Sequence, residues 1–122
     1  MNKRSTRKNH THSSLPVTLL QFLFVLKLFH WNTESYAKHI SSDQLYTSLS
    51  THIDEFVEVL IRNDKRPTSF KIPAFSFSMQ AFEQTLHDFR RVMARIQQPD
   101  LLNLRDDIIN DIDQFTYRLR LH

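Results

Sequence analysis

His39, Asp43, Asp54 and Glu58 supply one imidazole and three carboxylates, side chains suited to divalent ions such as Fe(II), Mn(II) and Zn(II) and unsuited to Cu(I). Taking about 100° per residue, they fall near 0°, 40°, 60° and 100° around one helix, roughly a quarter of its circumference. The apolar residues of the same segment, Leu45, Tyr46, Leu49, Ile53, Phe56, Val57 and Leu60, form a neighbouring stripe. The acidic face is therefore not the one that enters the helix's own core; it meets solvent or another subunit. His39 and Asp43 are four residues apart and can touch one ion, and Asp54 and Glu58 can do the same. Asp43 and Asp54, however, stand about 16 Å apart along a helix, at roughly 1.5 Å per residue. One helix cannot bring both pairs to one ion. If it packs antiparallel against its own copy, the His39/Asp43 end of one chain meets the Asp54/Glu58 end of the other, giving two equivalent sites. His30, from the preceding segment, completes the histidine side. The competing reading is a solvated face with two ordinary i,i+4 contacts, in which His30 is a hydrogen-bonded core histidine.

Helices must position these residues. The first is predicted over 16–31, with Ser14 as N-cap, Pro16 in the first turn, and Leu19, Leu23, Leu26 and His30 on one stripe. The second runs over 36–62 and is stopped by Asn63-Asp64-Lys65-Arg66-Pro67, because Pro67 cannot continue a helix and biases Arg66 toward extended backbone. Residues 63–77 read as a long connection that Phe70, Ile72, Phe75 and Phe77 pin down. A third helix over 79–97 carries Phe82, Leu86, Phe89, Met93 and Ile96 on its core face. Pro99 opens a fourth, with Leu102, Leu104, Ile108, Ile109, Ile112, Phe115 and Leu119. Four helices with short links at the first and third joints predict an all-α, antiparallel four-helix bundle over 15–122.

Composition narrows the chemistry. A chain of 122 residues is one domain, large enough for a single core. The absence of cysteine excludes thiolate metal sites and disulfide scaffolds, and points to a reducing compartment. The absence of glycine argues against dinucleotide and phosphate loops, which need positive φ or close backbone approach. Loops that require no left-handed residue should join the helices. The net charge of +3 is uneven: Lys3, Arg4, Arg7 and Lys8 stand in residues 1–14 without an acid, a charge of +4. Removing those four from the 16 basic residues leaves 12 against 13 acids, a net of −1 for the rest. The Ser-, Thr- and Asn-rich tail has the composition of a disordered segment. A basic start before an apolar run also has the outline of a signal peptide. Against that, Gln21 and Lys27 interrupt the run, no small-x-small cleavage site follows, and the run reads as too short to span a bilayer.

His30-Trp31-Asn32, then His39-x3-Asp43, then Asp54-x3-Glu58, resembles the ferroxidase signature of the Dps mini-ferritins (DNA-binding protein from starved cells). His52-Ile53-Asp54 and Asp111-Ile112-Asp113-Gln114-Phe115 are similar to further stretches of that family. The resemblance implies a ferritin-like bundle in which His30, His39 and Asp43 hold iron from one subunit. Asp54 and Glu58 of its two-fold mate hold or bridge from the other side. It implies Fe(II) binding, oxidation by peroxide or dioxygen, and ferric mineral deposition within a homo-oligomer, from a two-fold dimer up to a dodecameric cage. Trp31 lies beside the site, where the family often carries it. The chain departs from the family in a shorter His30–His39 link, a 63–77 connection without an evident helix, and a shorter overall length. It has no Glu-x-x-His pair, which disfavours a ferritin centre built inside one bundle.

Three functions compete at this point. The first is the iron-oxidising mini-ferritin, cytoplasmic or nucleoid-associated, not secreted and without a membrane. The second is a structural scaffold that keeps the bundle and the dimer without turnover. The third is a DNA-packaging protein whose Lys3, Arg4, Arg7 and Lys8 bind phosphate backbones, with many tails on one oligomer adding avidity; a solubilising tail is the plainer reading. His10-Thr-His12 is too little for a metal site. His52 and His87 read as structural or surface residues. Asp106, Asp107, Asp111 and Asp113 read as a solvated face, or as the lining of an ion path into a cage. The ten phenylalanines are core material.

Overall fold

Serine hydroxyls start two of the helices. Ser35 Oγ accepts the Lys38 N–H at 3.3 Å, and Ser78 Oγ accepts the Ala81 N–H at 3.0 Å, each satisfying an orphan first-turn donor. The computed structural model describes residues 15–62 and 66–121. The basic tail with Lys3, Arg4, Arg7 and Lys8, the expected cap Ser14 and the Asn63-Asp64-Lys65 stop signal lie outside those residues. The elements are α1 (Leu15–Asn32), α2 (Tyr36–Leu60), α3 (Met79–Ala94) and α4 (Leu102–Arg120), with a 3-10 turn over Pro99–Leu101. All regular structure among the described residues is helical, and the protein is a four-helix bundle.

The helix ends depart slightly from expectation. α2 stops at Leu60, where the Ile61 and Arg62 amides fold back onto the Val57 and Val59 carbonyls; α3 stops at Ala94, short of Gln97. Pro99 opens a 3-10 turn, and the α-helix begins only at Leu102. The caps Ile61 (φ −74°) and Arg95 (φ −86°) stay right-handed, and no described residue has positive φ. A chain without glycine thus closes its helices without the left-handed cap that glycine usually supplies.

α1 packs on α2 and α3, and α4 packs on the same two helices; α1 and α4, like α2 and α3, are diagonal, and their backbones do not approach closely. The connection after α2 therefore crosses the bundle to reach the diagonal helix. Phe75 and Phe77 seat it against the core, whereas Phe70, expected to help, is exposed. In the core Phe29 of α1 stacks on Phe82 of α3 (4.4 Å between centroids) and meets Phe115 of α4 edge-on (5.7 Å). Phe22 stacks on Phe89 at 4.3 Å. Phe29 is fully buried, and its truncation to alanine should cost about 3–5 kcal/mol.

α1 also corrects one expectation. Its 18 residues, with mean hydropathy 1.2, are long and apolar enough to cross a membrane by length and composition. In the bundle, Leu19, Phe22, Leu23, Val25, Leu26 and Phe29 of this helix are core residues.

Candidate metal centre

His30 lies in the last turn of α1 and His39 in the first full turn of α2, joined by residues 33–35. This link is held by the Thr33 amide on the Phe29 carbonyl (2.9 Å) and the Ser35 amide on Thr33 Oγ1 (3.3 Å). The reversal stacks the two imidazoles, with centroids 3.9 Å apart and planes 21° from parallel. Each ring is bound to the other residue's backbone. His30 Nδ1–H donates to the His39 carbonyl at 3.0 Å, and His39 Nδ1–H donates to the His30 carbonyl at 3.1 Å. A carbonyl can only accept, so each Nδ1 must carry the proton and each neutral ring keeps its lone pair on Nε2. This is the tautomer that a metal-ligating histidine adopts when a backbone carbonyl anchors its other nitrogen.

Ser42 completes the lock. Its side chain is fully buried, its Oγ–H donates to the His39 carbonyl at 2.9 Å, and its Oγ lies 3.0 Å from His30 Nδ1 as a second acceptor. One turn further along, Lys27 Nζ sits over the Tyr46 ring at 4.1 Å and ties α1 to α2 again. The sequence reading overlooked Ser42. Its signal was a serine on the core-facing side of α2, where a buried hydroxyl needs a partner.

Asp43, Asp54 and Glu58 are exposed on α2. A hydrogen bond with Asp54, and then Asp54's negative charge, hold the Glu58 carboxyl above the ordinary carboxylate value. Within the chain, His30 meets His39 and Glu58 neighbours Asp54. The pairs are not brought to each other, and among the described residues no three His, Asp or Glu side chains gather to hold an ion. One chain thus presents two separate groups of candidate ligands. Beside the histidines stand the exposed aromatics Trp31 (70%) and Tyr36 (79%).

The acidic stretch of α4 is not one solvated face. Asp111 is buried, accepting the Ser48 hydroxyl at 2.9 Å and the His52 Nδ1–H at 2.5 Å, so this cluster joins α2 to α4. His52 is accordingly structural, as expected, whereas Asp111 is a core residue. Asp113 receives both arms of Arg90 at 2.7 and 2.9 Å, and that guanidinium holds its carboxyl below the usual range. Asp106 is bound by its neighbour Arg105. His87 is exposed.

A family model described as a family of unknown function (DUF5856) matches residues 30–119. The chain belongs to DUF5856. The match begins at His30, includes every candidate ligand and omits most of α1. No curated protein and no solved structure matches the chain. The DUF5856 description assigns no activity.

Proposed function

We propose that this DUF5856 protein is an antiparallel, ferritin-like bundle that binds Fe(II) between two copies of itself and promotes its oxidation, in the manner of the Dps mini-ferritins. The reciprocal lock of His30 and His39, which engages both Nδ1 atoms and leaves Nε2 of each ring for a metal ion, with Asp43 one turn further along α2, is the observation that carries this reading. The ferritin-like topology is supported by contact order. Phe22 and Phe29 meet Phe89 and Phe82, Lys27 and His30 meet Tyr46 and His39, and Gln44 and Ser48 meet Arg118 and Asp111. In each case one helix runs up as its neighbour runs down, and one long connection joins a diagonal pair, as in ferritin-like folds.

The two half-sites are symmetric about the middle of α2. His39 and Glu58 lie equally far from the Ser48–Leu49 peptide, as do Asp43 and Asp54. One two-fold axis there sets His39 against the partner subunit's Glu58 and Asp43 against the partner subunit's Asp54 together. The donor set of imidazole nitrogen and carboxylate oxygen suits Fe(II) as substrate, with Mn(II) or Zn(II) as competing ions. Carboxylates stabilise the higher charge of Fe(III) more than that of Fe(II), which favours loss of an electron at this site. Each ferrous ion loses one electron; a peroxide takes the electrons of a ferrous pair, accepts protons and leaves as water.

Anaerobic Fe(II)-loaded protein mixed with peroxide tests this directly. The wild type should oxidise Fe(II) well above the buffer rate, and His39→Ala and Glu58→Ala should each return it to that rate. A wild type no faster than buffer overturns the proposal and leaves the bundle as a scaffold.

A further inference from the structure

We propose that a divalent cation controls self-association of this protein, because two copies can pair along α2 only when ions neutralise the carboxylates that pairing brings together. This inference rests on the two-fold reading above and adds regulation to it. The exposed strip of α2 is complementary to itself about its midpoint. The operation that sets His39 on Glu58 also sets Tyr36 on Ile61, Ile40 on Val57, and Thr47 on Ser50. Apolar groups thus meet apolar groups toward the ends of the strip, and small polar groups meet where the helices cross. Tyr36 and Ile40 are exposed in the single chain, and Val57 and Ile61 are half-buried, so this surface has area to bury.

The same operation sets Asp43 on Asp54, twice in each dimer, with Glu58 beside Asp54 at each site. Several cations near the strip are already engaged: Lys27 lies over the Tyr46 ring, Arg118 donates to Gln44, and Arg90 is held by Asp113 on the other side of the bundle. Lys38 and Arg62, at the two ends of α2, offset the three carboxylates of a half-site pair only in part. The histidines are tied through their Nδ1 protons to backbone carbonyls, which leaves Nε2 of each ring as the nitrogen for a metal ion. Apolar complementarity favours pairing and the carboxylates oppose it. A divalent ion at each half-site pair removes the opposition and adds bonds to both copies, so ion binding and assembly become one equilibrium.

Sedimentation velocity of the full chain tests the inference with Mn(II), which stands in for Fe(II) without turnover. The expected result is a species in chelator whose mass at least doubles on adding Mn(II) and returns to the starting value when chelator is restored. The double variant Asp43→Asn, Asp54→Asn should associate in chelator about tenfold more tightly than the wild type, since two repulsive contacts are relieved. Equal association of the wild type in chelator and in Mn(II), or a double variant no tighter than wild type in chelator, overturns the inference. A protein that pairs fully in chelator and still oxidises Fe(II) refutes the gating and leaves the proposed function standing. Mn(II)-dependent doubling without Fe(II) oxidation does the reverse.

Discussion

Tautomers at the α1–α2 reversal are set by hydrogen bonds that the backbone dictates. Because His30 and His39 each bond the other's carbonyl through Nδ1, neither ring can turn its Nε2 inward without breaking a bond, and the stacking at 3.9 Å limits rotation further. In the proposed site Ser42 acts only through His30 and His39, as a positioning residue. Ser42→Ala should weaken Mn(II) binding about tenfold, the low end for loss of an outer hydrogen-bond partner, because the His39 carbonyl still anchors His30. Calorimetric titration reads this, with unchanged helical circular dichroism separating it from unfolding; undiminished affinity would show that Ser42 only fills space. His39, Asp43, Asp54 and Glu58 were legible as a face of α2 because helical phase alone fixes it. The Ser42–His30 bond and the partners of Asp111 were not, since these bonds reach across to another helix. Asp111 bonds Ser48 and His52, about sixty positions earlier in the chain, which no local period encodes.

Between elements, the apolar stripes assign the helices and their core faces, and polar clasps then hold the pairs together. Leu45, Leu49, Ile53, Phe56 and Leu60 of α2 are buried where the period predicts. The ends are less legible, because Ile61, Arg62 and Arg95 close their helices through backbone bonds that any residue can make. Likewise Phe70 is as apolar as Phe75 and Phe77, yet only the latter two lie where the crossing segment meets the core. The Arg90–Asp113 clasp between α3 and α4 yields a pH prediction. Arg90's bidentate hydrogen bond lowers the Asp113 pKa in the folded protein, so the clasp contributes stability above the unfolded carboxylate value and loses it as pH falls through the lowered one. Both side chains are nearly half exposed, so at neutral pH Asp113→Asn should lower unfolding stability by only about 0.3–1 kcal/mol. Urea titrations should show the gap between variant and wild type closing in acid below the shifted value; a gap constant with pH would mean that charge is not its source.

At the scale of the whole molecule, the proposed function places two half-sites on each α2 helix and makes activity depend on what that helix meets. The sequence carries this dependence openly, in the symmetric placement of ligands about the centre of α2, but it does not carry the assembly beyond the pair. The basic tail carries a further prediction: its four cations would bind a phosphate backbone by counterion release, more strongly where many tails share one particle than from a single chain. A DNA gel shift should therefore weaken as salt rises and vanish when residues 1–14 are deleted; a shift that survives the deletion removes the tail from the account. The central claim is that iron lies between two chains, and anomalous diffraction at the iron edge from anaerobically Fe(II)-soaked crystals addresses it most directly. The predicted map has a peak flanked by the His30 and His39 rings of one chain and by Asp54 and Glu58 of the partner subunit, repeated across a two-fold axis through the middle of α2. Crystals with full iron elsewhere and none at this position, or chains whose α2 helices do not meet, would contradict it.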